Sequence, residues 1–333
     1  RYARVTGVQT CALPISYAPF LCPPRETVPK WDEIEENIKC RSDPIRQAKG
    51  LKDLIRFQSS GDVPPDSVLM TVILNTPTSQ DHIVKKLVFL YYEIVETRDK
   101  NGKLKQEYIL ITDALLKDLN HPNEYLRAAA LRFASKFQEP ELLTPLTSTI
   151  CQSLNHPSAY VRRHAVVAIG RIYQKYPDLA PDAPNSIAEL LKTEQDFSCK
   201  RVAFLVLCDI SSQLAVEFLD EVLSNSLLSL PQPMQLTSVA LIKSLCSDQK
   251  KSLYLPALTE LLESPSPGVK LASALTLLQL TSTKTASKAG ISTLCHIMST
   301  IPNTSLQLSI ADQIENLIPT HKEIGRASCR ERV

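Results

Sequence analysis

Two Asn-His-Pro triplets, at 120–122 and 155–157, hold the residues of this chain best placed to do chemistry. A histidine in an exposed turn can shuttle protons or ligate a metal. Neither His121 nor His156 has a Cys, Asp or Glu at ligand spacing, and two equivalent positions of a repeat lie one repeat apart, too far to share an ion. They read as turn residues. His164 and His296 fall in apolar helical stretches and read as packed or surface residues. No Gly-rich phosphate loop, GxSxG elbow or HExxH occurs, and eight glycines leave little material for one. The expectation is a chain with no enzymatic function, no metal and no cofactor. Basic pairs offer binding chemistry instead. Arg127, Arg162 and Lys200 are expected to lay their stems along the structure and pair with acidic groups of the next repeat. Arg163 and Arg201 are left to form a basic edge toward an acidic partner or a lipid headgroup.

The triplets belong to a longer line written twice. LNHPNEYLRAAALRFAS at 119–135 returns as LNHPSAYVRRHAVVAIG at 154–170, an offset of 35 residues. Such a period marks stacked helical hairpins, each burying its apolar face against the next. The cadence of an apolar residue followed by a polar one extends it: Val84-Lys85, Leu126-Arg127, Val161-Arg162, Cys199-Lys200, Met234-Gln235, Val269-Lys270 and Leu306-Gln307 are 42, 35, 38, 35, 35 and 37 residues apart. Prolines 122, 157, 233, 267 and 302 stand just ahead of these helices. The fold class is therefore all-α, a right-handed α-solenoid of HEAT/armadillo-like hairpins.

Individual helices follow from the same reading. Asp43-Pro44 is a start signal, Asp as N-cap and Pro at the first helical position, with Ile45, Leu51, Leu54 and Ile55 as the apolar stripe. Residues 66–76 form a short apolar helix. In 81–95, Ile83, Leu87, Leu90, Tyr91 and Ile94 share one face at helical spacing. A polar loop at 96–106 leads to a helix at 107–119. Leu126, Ala129, Ala130, Phe133 and Phe137 give the next helix its buried face, with Asn120 as its cap, and 141–154 is the partner of the second copy.

The ends do not share this pattern. VTGVQTCALPIS at 5–16 and EIGRASCRERV at 323–333 back-translate into the paired adapters of short-read sequencing. Residues 1–16 and 323–333 are accordingly assigned as adapter-derived, 17–39 as an irregular leader with a helix starting from Trp31, and 40–322 as the solenoid, a fragment of a longer protein. Without the two tails the formal charge moves from +2 to −1, through loss of Arg1, Arg4, Arg326, Arg330 and Arg332 against Glu323 and Glu331. A near-neutral chain lacks the footprint of a general nucleic-acid binder. Cys22, Cys40, Cys151, Cys199, Cys208, Cys246 and Cys295 remain, an odd and scattered set that suits a reducing compartment.

QDHIVKKLVFLYYEIV, KDLNHPNEYLRAAALRF, LNHPSAYVRRHAVVAIGRIY and PDAP followed by DFSCKRVAFLVL resemble the N-terminal trunk of the coatomer beta-subunit family, within the wider adaptin N-terminal family. GDVPPDSVLMTVIL fits as well, and the likeness runs from about residue 40 to 318. The beta subunits of clathrin-adaptor complexes share the trunk, but the LNHPNEYLR and PDAP spellings favour coatomer. The resemblance implies a non-enzymatic scaffold of the COPI vesicle coat in Golgi-to-ER retrograde and intra-Golgi transport. It implies a cytoplasmic location, peripheral on Golgi membranes and coated vesicles, with the coatomer delta subunit, other coatomer subunits and an Arf-family GTPase in its GTP state as partners. In related trunks the GTPase docks on early helices, by position 81–95 and 107–119. Ile109, Thr112 and Leu116 would then supply a shallow apolar patch, with Lys85 and Lys86 nearby. A clathrin-adaptor-type beta subunit or another HEAT-repeat transport scaffold is the alternative.

Overall fold

A computed structural model describes residues 30–317 apart from 62–63, 66, 77–78, 80, 99–101, 246–250 and 282. The adapter-like ends and residues 17–29 of the leader lie outside the described residues. Sixteen α-helices are found among those described, and the fold is an all-α solenoid. The chain divides into two compact units, Arg1–Ala180 and Pro181–Val333.

The first unit contains α1 (Trp31–Lys39), α2 (Pro44–Ser59), α3 (Val68–Asn75), α4 (His82–Ile94), α5 (Glu107–Leu119), α6 (Glu124–Ala134), α7 (Pro140–Gln152) and α8 (Ala159–Lys175). Odd-numbered helices pack in a row, α1 on α3, α3 on α5 and α5 on α7, and even-numbered ones in a second row, α2 through α8. Helices α1, α5 and α7 also pack on an even neighbour, so the core is the sheet of side chains between two layers. Leu51, Leu54, Val84, Leu131, Leu146 and Ile169 are fully enclosed there, each contributing about 1.5–3 kcal/mol by leaving water.

Within the second unit, α9 (Ala183–Thr193), α10 (Phe197–Ile210), α11 (Ser212–Leu223), α12 (Gln232–Leu245), α13 (Lys251–Leu261), α14 (Pro267–Leu280), α15 (Lys284–Thr300) and α16 (Thr304–Leu317) follow the same scheme. α10, α12, α14 and α16 form one row, and each hairpin closes through an odd partner.

Several expectations shift. The leader assigned to 17–39 ends in α1, whose Ile34 and Ile38 are buried on the face packed against α2 and α3, so the solenoid already includes residue 31. Asp43 caps α2 as expected, its Oδ1 accepting from the Ile45 and Arg46 amides at 2.9 and 3.2 Å. Ile45 is exposed rather than part of the α2 stripe, because it sits on the first turn, outside the contact with α4. The cap of α6 is Asn123, whose Oδ1 accepts from Tyr125 N at 2.9 Å. Asn120 instead ends α5, donating to Leu116 O at 3.1 Å. Helix α4 is turned from the face read in the sequence: it buries Val84, Lys85, Val88, Phe89, Tyr91 and Tyr92, and exposes Ile83, Leu90 and Ile94.

Candidate docking surfaces

One register runs through the even helices. From α4 to α14 the third helical residue is apolar and buried, Val84, Leu126 and Val161 in the first unit and Cys199, Met234 and Val269 in the second; in α2 that place is taken by the exposed Arg46. The fourth is polar, and in α2, α4, α8, α12 and α16 it reaches back to the preceding loop or helix end, or forward to the end of the next odd helix. In α2, Gln47 Nε2 donates to Ile38 O at 3.2 Å and Asn75 O at 3.1 Å, tying the ends of α1 and α3. Arg162 Nη1 donates to His156 O and Pro157 O, both at 2.7 Å. Gln235 donates to Leu228 O and Leu230 O and accepts from Ser264 Oγ. In α16, Gln307 donates to Met298 O and Ile301 O. Ile38 O, Asn75 O and Met298 O are carbonyls that a helix end leaves orphaned.

Lys85 occupies this fourth position in α4. Its Nζ lies 2.8 and 2.9 Å from the two carboxylate oxygens of Asp118, at the end of α5, and the residue is only 6% exposed. Asp118 stands in the last turn of its helix, where the negative end of the macrodipole disfavours a carboxylate. The ammonium therefore offsets both burial and dipole. A cavity of about 20 Å³ lined by Thr76, Lys85, Phe89, Tyr92 and Asp118 adjoins the pair, room for about one water. Lys85 is a stitch between helices, and it is removed from the expected docking face.

The remaining expected face residues separate as well. Thr112 is buried, its Oγ1 donating to Tyr108 O at 2.9 Å, which closes it to any partner. Lys86 is exposed, but on the even layer. Ile109 is 57% exposed, and Leu116, two turns on and along the same side, is half-buried. Leu110 is exposed beside Ile109, and Met70 and Leu74 are exposed on α3 in the same layer. The sequence carried a signal for Leu110: Tyr108, Ile111, Leu115 and Leu119 already complete an inward stripe, leaving Ile109 and Leu110 without an interior to fill. The odd-layer patch is therefore Ile109, Leu110 and Leu116, without the two lysines.

Arg163 belongs to the first unit and Arg201 to the second, each on the fifth residue of its helix. The Arg163 guanidinium lies 5.2 Å from the centroid of the Tyr160 ring, a cation–π contact. Arg201 is exposed. His121 and His156 do act as turn residues: their Nδ1 atoms accept from the amides of Asn123 and Ser158 at 2.9 and 3.1 Å. Burial, followed by the charge of Arg127, holds the His156 imidazole below its usual range. Burial, then Arg163 and Arg132, lowers His164 to about 4. Among the described residues no three His, Cys, Asp or Glu side chains are grouped to hold a metal, and no helix is long and apolar enough to cross a membrane.

Comparison with known proteins places this arrangement. Residues 30–329 match the family described as the adaptin N terminal region, a span that includes seven residues of the 323–333 tail. Coatomer subunit beta of Dictyostelium discoideum is 37% identical over 298 residues, which cover 89% of this chain and 32% of that protein. Coatomer subunit beta of Rattus norvegicus is 35% identical over 306 residues, 91% of this chain and 31% of the relative. The chain thus spans about a third of the length of these relatives. A chain from a homology model of the full-length AP-3 complex in an intermediate open conformation shares the fold, with a TM-score of 0.62 at 16% identity over 86% of this chain and 50% of that one. With the family match covering nearly the whole of the two-layer solenoid, the chain belongs to the adaptin N-terminal family.

Proposed function

We propose that this chain is a non-enzymatic scaffold segment of a COPI-type vesicle coat, in the cytoplasm and peripheral on Golgi membranes and coated vesicles. It acts in Golgi-to-ER retrograde and intra-Golgi transport by binding the coatomer delta subunit, other coatomer subunits and an Arf-family GTPase in its GTP state. The identity of 35–37% to coatomer beta subunits, against 16% to the AP-3 chain, supports coatomer over a clathrin-adaptor-type complex. The observation that carries the GTPase reading is the exposed Ile109 and Leu110 pair on a helix whose inward stripe is complete without them. Exposed apolar residues on a rigid helix are the usual core of a protein interface.

The test is binding of a purified Arf-family GTPase, loaded with a non-hydrolysable GTP analogue or with GDP, to the chain and to Ile109→Asp. Binding is expected only in the GTP-like state and is expected to be lost in the variant. Equal binding in both nucleotide states, or undiminished binding to Ile109→Asp, would refute this reading. We further assign residues 1–16 and 323–333 as adapter-derived. Resequencing the transcript with adapters trimmed tests this, and an unchanged reading of either end would overturn it.

A further inference from the structure

The two layers of the first unit carry opposite charge. Helices α2, α4, α6 and α8 hold twelve Lys and Arg against three Asp and Glu, whereas α1, α3, α5 and α7 hold two against eight. In the second unit the same division gives four against three on the even helices and four against five on the odd ones, so the segregation is not a property of the repeat. Pairing between the layers accounts for three of the twelve cations, Arg46 with Glu36, Lys49 with Glu33 and Lys85 with Asp118. Like charges on one face otherwise repel, and mixing the signs along each helix would supply further stabilising pairs.

The basic layer also exposes one large apolar residue per repeat at a fixed register. The second helical residue is Ile45 in α2, Ile83 in α4, Tyr125 in α6 and Tyr160 in α8, exposed by 83, 45, 61 and 39%. The Tyr125 and Tyr160 rings lie 5.5 Å apart, so this row is continuous across the α6 to α8 boundary. Basic side chains flank it: Lys49 and Lys86 about one turn further along α2 and α4, Arg132 two turns beyond Tyr125, and Arg163 over the Tyr160 ring. The acidic groups nearby are Glu33, paired with Lys49, Glu36, paired with Arg46, Asp53, paired with Arg56, Glu93, paired with Lys136, and the half-buried Glu124.

From these observations we infer that the exposed face of α2, α4, α6 and α8 docks an acidic peptide segment of a partner protein, with apolar side chains seated on the Ile45, Ile83, Tyr125 and Tyr160 row. This surface is on the opposite layer from Ile109 and does not rest on the GTPase reading. The spacing specifies the occupant further. Neighbouring helix axes lie about 9 Å apart, and a polyproline II segment returns a side chain to the same side every third residue, about 9.3 Å along. An apolar residue at every third position, with acidic residues between, therefore meets one helix per triplet. A bilayer fits less well, because Ile83 and Tyr160 are more than half covered and present little apolar surface to an acyl layer.

Fluorescence anisotropy on the full chain tests the inference with a labelled peptide of four Leu-Glu-Glu triplets, its Ser-Glu-Glu and Leu-Lys-Lys counterparts, and phosphatidylserine vesicles in a flotation assay. Leu-Glu-Glu is expected to bind, the other two peptides at least about tenfold more weakly. The exposed double variant K86E/R132E is expected to lose binding by a similar factor while Ile109→Asp retains it, with circular dichroism melts confirming that both fold. The inference is overturned if Ser-Glu-Glu binds as well as Leu-Glu-Glu, if K86E/R132E binds as the parent does, or if Ile109→Asp abolishes binding. It is likewise overturned if vesicles bind and the peptide does not, or if sedimentation shows a K86E/R132E-sensitive dimer in place of peptide binding, which would give the face to a second copy.

Discussion

Replacing Lys85 with methionine removes one partner of a buried ion pair and keeps the length of the side chain. Asp118 would then carry its charge with its side chain only 10% exposed, at the negative end of α5. Breaking a buried pair from one side costs about 3–5 kcal/mol. The dipole adds about 0.3–1 kcal/mol, so a loss of at least about 3 kcal/mol is expected. Urea unfolding followed by circular dichroism reads it as a lower midpoint at unchanged slope. In the double variant Lys85→Met/Asp118→Leu no charge is left behind, and stability should return to within about 1 kcal/mol of the parent. Lys86→Met, one residue away but exposed, should change stability by less than about 0.5 kcal/mol. The reasoning fails if Lys85→Met costs under 1 kcal/mol, or if the double variant is as unstable as the two single variants added together.

Three further substitutions examine the same architecture. Gln235→Leu removes the donor to Leu228 O and Leu230 O and the acceptor for Ser264 Oγ, and should cost about 1–3 kcal/mol in chemical denaturation. Gly50→Ala should destabilise despite the better helix propensity of alanine: its Cβ would stand 2.9 Å from Asn37 Cβ and 3.0 Å from the Ile38 backbone nitrogen, forcing α1 and α2 apart, and a lower melting temperature reads it. His164 makes stability fall with acid. Its folded pKa near 4 lies below the ordinary 6.5, so between those values the unfolded chain binds the extra proton and stability rises with pH. For a half-exposed ring the shift is worth roughly 1–2 kcal/mol; His164→Gln should flatten that part of the pH–stability curve.

The solenoid was readable because its cadence marks a physical register. Val84-Lys85 and its six successors fall on the third and fourth residues of successive even helices; Val84, Leu126, Val161, Cys199, Met234 and Val269 are enclosed by the core, and Lys85, Arg162, Gln235 and Gln307 are tied to loop carbonyls or to a helix end. The buried face of α4 was not readable. HIVKKLVFLYYEI is apolar almost all round, so Ile83, Leu87, Leu90 and Ile94 make as good a stripe as Val84, Val88, Tyr91 and Tyr92, and periodicity alone cannot choose between them. A lysine in the buried stripe argued for the wrong one, since its partner Asp118 lies 33 residues away. The same distance hid the removal of Lys85 from the docking face, whereas Thr112 is withdrawn by burial and a bond within its own helix to Tyr108 O. Ile109 is exposed and Leu116 half-buried because helical spacing sets them on a side the inward stripe does not use.

The polar stitches also set how the stack answers a pull. Gln47, Lys85 and Gln235 each fasten the end of the odd helix that follows their own, so tension along a unit loads these links in series rather than all at once. Stretching by optical tweezers should therefore release hairpins stepwise from an end, each freeing about 35 residues of chain, or roughly 120 Å of contour length.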